Sequence, residues 1–311
     1  IHRLVRRERR WPRSFEMHVG FQLSETLCTT RFECMTTNQS NNDVLRVGHM
    51  TYLNSEVFYR NLPVGSCDLV AMPPRAMAAA VERGDLVAGP LPIAEIFRLG
   101  DQVRSLGNLG ISCDGSAKSV FLFSHYPVDQ LSGKRIAVTS HTATSIQLMR
   151  VLFADLWNVS GHEFVETDDQ HDAALWIGDP ALERRSQTIY PYIYDLGTAW
   201  KTLTGLPFVF AEWVIRTDVP RETANQLDRL IAKATQSSTD DISILKISQQ
   251  RATEAMPKSD VADYIRNFTY FLGPKERRGQ QEFQRRLDLL PIWRPPSPDT
   301  KQVETKAVST S

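Results

Sequence analysis

The chain has 311 residues, 41% of them hydrophobic, which is enough to bury the core of one large or two modest domains. Lys plus Arg number 36 and Asp plus Glu number 36, so there is no global field to attract nucleic acid or an anionic membrane. Four cysteines without CxxC spacing and seven histidines without metal-finger spacing argue against a zinc ribbon or finger, and the cysteines are not expected to form a disulfide framework.

In chain order, residues 1–43 mix arginines at 3, 6, 7, 9, 10 and 13 with a polar TTNQSNND stretch, and are expected to form a poorly ordered extension. No apolar segment of about 7 residues follows the arginines as it would in a secretory leader, and no run of about 18 apolar residues occurs anywhere, so a cytoplasmic protein without a membrane partner is expected. From residue 44, short β-rich runs alternate with helical patterns: LRVGHM, DLVAM, a helix over 74–83, DLVAG, a helix over 91–99, LGISC and SVFLFSH. After an LSGK turn come RIAVTS, a helix over 143–157 with Ile146, Met149, Leu152, Phe153 and Leu156 on one face, HEFVE, AALWIG, and a short helix from Pro180. FVFAEWVIR, a helix over 221–237 and further helical segments up to 290 complete the pattern. Alternation of this kind predicts βαβ units and a mostly parallel sheet. Beyond Trp293 the Pro- and Ser-rich tail is expected to be disordered.

Several polar residues sit where open α/β sheets present side chains to ligands. Asn54 follows the first strand; it can turn the loop and cap the next short helix, or offer an amide donor and acceptor to a substrate. Ser119 follows the Asp114-Gly115 turn, either as a strand-entry serine or as a ligand, and the neighbouring Lys118 is expected to be solvated. Thr139, Ser140, Thr142, Thr144 and Ser145 cluster at the start of the 143–157 helix. Their hydroxyls can cap it, and the same helix end can receive a carboxylate. Asp179 precedes Pro180 and reads as a helix cap. Glu212 interrupts an otherwise apolar strand. Walker, GxSxG, HExxH and strand-borne GxGxxG patterns do not occur.

Five segments carry a resemblance: RVGHMTYLNS (46–55), DGSAKSVFLFS (114–124), TSHTATSIQL (139–148), ALWIGDPAL (174–182) and YDLGTAWKTLTGLPFVFAEWVIR (194–216). In the last, nothing in local propensity demands an aspartate, two glycines and a proline between apolar stretches. Together they resemble the chorismate dehydratases of the futalosine route to menaquinone, over residues 44–293. The resemblance implies an α/β, periplasmic-binding-protein-like type II fold of two domains joined by a two-crossing hinge. Domain I would comprise 44–127 plus 209–293, and domain II 128–208. It implies a cytoplasmic lyase that removes water from chorismate to give 3-(1-carboxyvinyloxy)benzoate, with no metal or organic cofactor. The YLN asparagine corresponds to Asn54 and the serine of DGxxxS to Ser119, which would be the catalytic pair; the IGD loop would bring Asp179 to the cleft. Thr142, Thr144 and Ser145 are expected to bind a substrate carboxylate. No strong side-chain base stands out, so the substrate's own enolpyruvyl carboxylate is the expected base. The chain departs from the family where Ser116, Ala117 and Lys118 replace a turn that usually has Pro after Asp-Gly. The rival readings are a dihydroxynaphthoate synthase-like sister enzyme and a non-enzymatic binder of small carboxylates.

Overall fold

A computed structural model of the chain describes residues 44–139, 142–185, 187, 189–291 and 293. The expected extension over 1–43 and the tail over 294–311 lie outside the described residues, as does Ser140.

β1 (Arg46–His49) leads through a 3-10 turn (Leu53–Phe58) into β2 (Asp68–Ala71), α1 (Pro74–Arg83), β3 (Ala88–Pro92), α2 (Ile93–Leu99) and β4 (Val103–Cys113). A second set follows: β5 (Val120–Ser124), β6 (Arg135–Val138), α3 (Thr144–Asp155), β7 (Glu163–Val165), β8 (Ala173–Ile177), α4 (Asp179–Arg184) and β9 (Tyr192–Asp195). α5 (Leu196–Thr204), β10 (Phe208–Arg216), α6 (Arg221–Ser238), α7 (Asp241–Arg251), α8 (Lys258–Arg266), β11 (Thr269–Phe271) and α9 (Pro274–Asp288) return the chain to the first set. The expected helix over 74–83 is α1, with Pro74 at its start, where a missing N–H costs nothing. The third strand runs further than DLVAG suggests, through Pro90 and Pro92. Beyond Ala88 it pairs only with β10, so prolines at alternate positions can leave their missing N–H groups on the unpaired side.

These strands form a six-stranded sheet of order β11-β4-β10-β3-β1-β2 and a five-stranded sheet of order β7-β6-β8-β5-β9. The expectation of a mostly parallel sheet is corrected. Parallel pairing is confined to β1 with β2 and β3, and to β6 with β7 and β8. β10 runs antiparallel to both β3 and β4, and β5 antiparallel to both β8 and β9. The long return strand β10 and the inserted β5 each reverse direction in the middle of a sheet, a feature that local α/β alternation does not encode. β5 also belongs to the smaller sheet, so the chain passes from the larger sheet to the smaller at 114–119. It passes back through α5 and residues 205–207.

The core binds these pieces together. Trp200 of α5, Phe208 of β10 and Phe283 of α9 meet edge to face, with centroids 4.9–5.9 Å apart. Each such pair adds about 0.5–1.5 kcal/mol beyond area burial and here anchors α5 against the larger sheet. Glu212, the polar interruption of β10, is 1% exposed. It pairs with Arg277 at 2.7 Å and accepts from Gln280 Nε2 at 3.1 Å, so it fastens α9 to the sheet.

Candidate functional site

A cleft opens between segments of the two sheets, and Asn54, Ser119 and Thr144 all line it. Asn54 comes from the 3-10 turn after β1. Leu53, Val57 and Phe58 of that turn are buried, so apolar packing holds the turn down while Asn54 stays at the cleft. The turn is entered from Tyr52 without a side-chain cap, so Asn54 is not the capping residue. Its Oδ1 accepts from Ser55 Oγ at 3.2 Å, which fixes the amide and leaves Nδ2 as its donor group.

Ser119 sits on the crossing segment 114–119, and a set of distant polar groups holds that segment. Asp195 accepts from Ala117 N at 2.9 Å, Lys118 N at 2.8 Å and Ser116 Oγ at 2.8 Å while also capping α5 through Thr198 N at 3.0 Å. Gly197 lies so close that an added Cβ would stand 2.4 Å from Gly115 O and 2.8 Å from Ala117 N. The aspartate and first glycine of the 194–216 run, unexplained by local propensity, therefore mould the turn that carries Ser119. From the opposite side, α8 contributes Tyr264 OH, which donates to Ser119 Oγ at 2.7 Å. Asn267, just past α8, donates through Nδ2 to Ser116 O at 2.8 Å. Lys118 adopts φ 60 and is partly buried, and its Nζ reaches Asp263 O at 3.5 Å on the exposed side.

The hydroxyl cluster divides. Ala143, not a hydroxyl residue, occupies the N-cap of α3, and no side chain caps that helix. Thr144 Oγ1 instead accepts from Ala94 N in the first turn of α2 at 3.3 Å, which ties the two helix starts together. The expectation that a hydroxyl caps α3 is thereby corrected: tertiary contact with α2 takes up Thr144. The uncapped first turn of α3 leaves N–H groups and the positive dipole end beside the cleft, where Ala143 and Thr144 form part of the wall. Thr142 shares a 2.8 Å hydrogen bond with Thr139 and lines a neighbouring polar cavity with Arg75, Glu166 and Arg150. Ser145 is buried and is not among the residues lining the cleft.

Asp179 is not the helix cap that its place before Pro180 suggests. Gly178 takes the N-cap at φ 65, a left-handed conformation, with Tyr52 so near that a Cβ would meet its ring at 3.1 Å. Asp179 Oδ1 accepts from Leu53 N at 3.1 Å and Oδ2 pairs with Arg251 at 3.0 Å, so the loop after β8 is joined to the turn carrying Asn54. Arg251 also pairs with Glu56 at 3.0 Å. Burial raises the Asp179 pKa above the usual carboxylate value, and the Leu53 N–H and Arg251 offset this only in part.

Most of the cleft wall is apolar, with Met50, Ile111, Ile177, Phe210 and Phe268 contributing. Among the described residues that line it there is no carboxylate, imidazole, ammonium or guanidinium. Tyr52 supplies a phenol held neutral, its pKa raised by burial and by the nearby Asp179 charge. Among the described residues, no group of His, Cys, Asp and Glu could hold a metal ion. Cys67 and Cys113 are free thiols, and burial pushes the Cys113 thiol well above its usual pKa. Such a site can orient a flat, carboxylate-bearing molecule through neutral donors in a low-dielectric setting, but its described lining offers no strong base. Tyr264 and Arg251 escaped sequence reading, and Asp195 stood out only as unexplained by local propensity, without a role. Tyr264 falls on the buried face of α8 and reads as core, and the two charged residues act on segments far away in the chain.

Residues 45–288 match the model of a family described as menaquinone biosynthesis. The chain is 26% identical over 208 residues to a chorismate dehydratase of Thermus thermophilus, covering 61% of this chain and 75% of that protein. A solved protein from Archaeoglobus fulgidus superposes with a TM-score of 0.63 at 14% identity, covering 80% of this chain and 98% of the other. The periplasmic aliphatic sulphonate binding protein of Escherichia coli does so with a TM-score of 0.51 at 15% identity, covering 77% and 89%. The fold is that of the periplasmic binding proteins.

Proposed function

Because the chain belongs to the menaquinone biosynthesis family, we propose that it removes water from chorismate to give 3-(1-carboxyvinyloxy)benzoate. The observation that carries this reading to the site is the convergence of Asn54, Ser119 and the uncapped start of α3 on one largely apolar cleft. Chorismate carries two carboxylates, a ring hydroxyl and an enol ether. The start of α3 and Thr144 receive one carboxylate, while Asn54 and Ser119 meet the reacting oxygens from opposite sheets.

The reaction removes the ring proton at the enol-ether carbon and expels the neighbouring hydroxyl as water, leaving an aromatic ring. The anion formed on proton loss is delocalised toward the ring carboxylate. Aromatisation supplies the driving force, so the protein has chiefly to orient the substrate and stabilise developing charge. With no strong base among the described lining residues, the enolpyruvyl carboxylate of the substrate itself takes the proton. Asn54 and Ser119 then act as preorganised donors to the oxygens on which charge accumulates.

In this reading the two sheets with their helices are the two domains of a hinged pair, and segments 114–119 and 196–207 are the crossings. No helix among the described residues is long and apolar enough to cross a membrane, and a cytoplasmic location completes the proposal. Incubating the purified protein with chorismate and following the mixture by mass spectrometry tests it. A product lighter than chorismate by one water, with the ultraviolet spectrum of a substituted benzoate, is expected. Binding without turnover would refute it.

A further inference from the structure

We infer that Tyr264 is a positioning residue for the reaction, its phenol donating into Ser119 Oγ so that the serine's own hydrogen is left for the substrate. The inference rests on the dehydratase reading and adds a residue that the matched motifs do not contain.

A serine hydroxyl has one hydrogen and two lone pairs, so what its partners use decides what it can offer a ligand. Tyr264 is 1% exposed, and its OH lies 2.7 Å from Ser119 Oγ with the phenol as donor. Ser119 in turn directs its hydrogen to Ala117 O, but at 3.4 Å that bond is long and easily given up. The hydroxyl therefore has one lone pair occupied by the phenol and a hydrogen whose long bond to Ala117 O can be exchanged for one to a ligand in the cleft that Ser119 lines. Accepting a hydrogen bond also polarises a hydroxyl and makes it a better donor, by roughly 10–30% per bond in a chain. Were the serine to donate to the phenol instead, its hydrogen would be consumed and the substrate oxygen would face only lone pairs.

The surroundings keep the phenol in this role. Burial pushes its ionisation far above the usual range, so it remains a donor at every working pH. Its ring stands edge to face with Phe268, whose centroid is 5.1 Å away and which itself lines the cleft. Asn267, three residues on, holds Ser116 O, so α8 and the serine turn keep one register. Tyr264 is thus placed behind Ser119, not in the cleft, and acts through the serine.

The test is a double-mutant cycle of Tyr264→Phe and Ser119→Ala, read as kcat and KM on chorismate together with Tm. Tyr264→Phe is expected to lower kcat about tenfold, the scale of a modest loss of alignment, with KM within about twofold and Tm nearly unchanged. In the Ser119→Ala background the same change should do nothing further. An unchanged kcat for Tyr264→Phe, or an equal loss with and without the serine, would overturn the inference and leave the tyrosine a packing residue. Ser119→Cys covers the case in which Tyr264→Phe does not fold. A thiol is a poor acceptor for the phenol, so turnover should drop close to that of Ser119→Ala, and near-normal turnover would overturn the inference. If the wild-type protein leaves chorismate unchanged, the dehydratase reading falls and the inference with it. Turnover by wild type with an additive cycle removes only the role of Tyr264.

Discussion

The two walls of the cleft are built by different physics. Asn54 rides on a turn pinned by apolar burial: Phe58 is fully buried and stands edge to face with Trp213 at 5.6 Å and Tyr270 at 5.7 Å. Ser119 rides on a turn with few apolar anchors of its own, held by Asp195, Asn267 and Tyr264 from two different parts of the chain. Apolar packing is non-directional, so it fixes the depth of a loop but leaves side-chain aim to local bonds such as Ser55 to Asn54. Hydrogen bonds fix direction, so the serine turn is aimed as well as placed. The difference teaches that damage to the asparagine wall should be felt first as lost stability, and damage to the serine wall first as lost turnover.

The largest effects belong to the two side chains themselves. Ser119→Ala should lower kcat by roughly 10²–10³, the scale for losing one preorganised donor, with a smaller change in KM. Asn54→Asp should be worse than Asn54→Ala, because it removes the amide donor and sets a negative charge beside a dianionic substrate. Near-normal kcat in folded Ala variants of both residues would remove both from the mechanism. Next comes the contrast between the supports. Phe58→Ala should cost about 3–5 kcal/mol of stability through the cavity it leaves. Asp195→Ala, which strips three N–H groups of their acceptor, should cost less, about 2–3 kcal/mol, yet reduce kcat more among the molecules that remain folded. Denaturant unfolding beside steady-state kinetics measures both, and the reverse ranking would break the comparison.

The smallest effect lies at the seam between the walls. Arg251→Ala removes partly exposed ion pairs with Asp179 and Glu56 and should cost about 1–2 kcal/mol. Asp179 adds a pH dependence of definite sign. Its folded pKa is raised above the unfolded value, so the folded state binds more protons between the two. Its contribution to stability is therefore present at low pH and is lost as pH rises through the raised value. The stability of wild type relative to Asp179→Asn should accordingly decline as pH rises from the ordinary carboxylate range through that window. Thermal melts across pH would contradict this if the difference stayed flat or grew.

Much of this was legible in the chain. The periodicity of 143–157 located α3 to within two residues at either end, and Pro74 marked the start of α1, because apolar spacing and proline act locally. Asn54 and Ser119, singled out through their motifs, both line the cleft. What sequence could not yield were the directions of β5 and β10 and the use of each polar group. Asp179 reads as a cap before Pro180 but reaches to Leu53, 126 residues away, and Thr144 reads as a cap for α3 but serves Ala94. In each case a local hydrogen bond of ordinary strength lost to a tertiary one that burial made costlier to leave unmade. Glu212 is the same lesson inside a strand, where only the fold supplies Arg277.

The central claim is that two differently built walls act on one bound molecule. A crystal structure of the protein with 3-(1-carboxyvinyloxy)benzoate tests it most directly. The account predicts the product ring in the apolar cleft, Asn54 and Ser119 both within hydrogen-bond distance of its oxygens, and one carboxylate at the first turn of α3. Product bound in the cavity beyond Thr142, or touching one wall only, would contradict it.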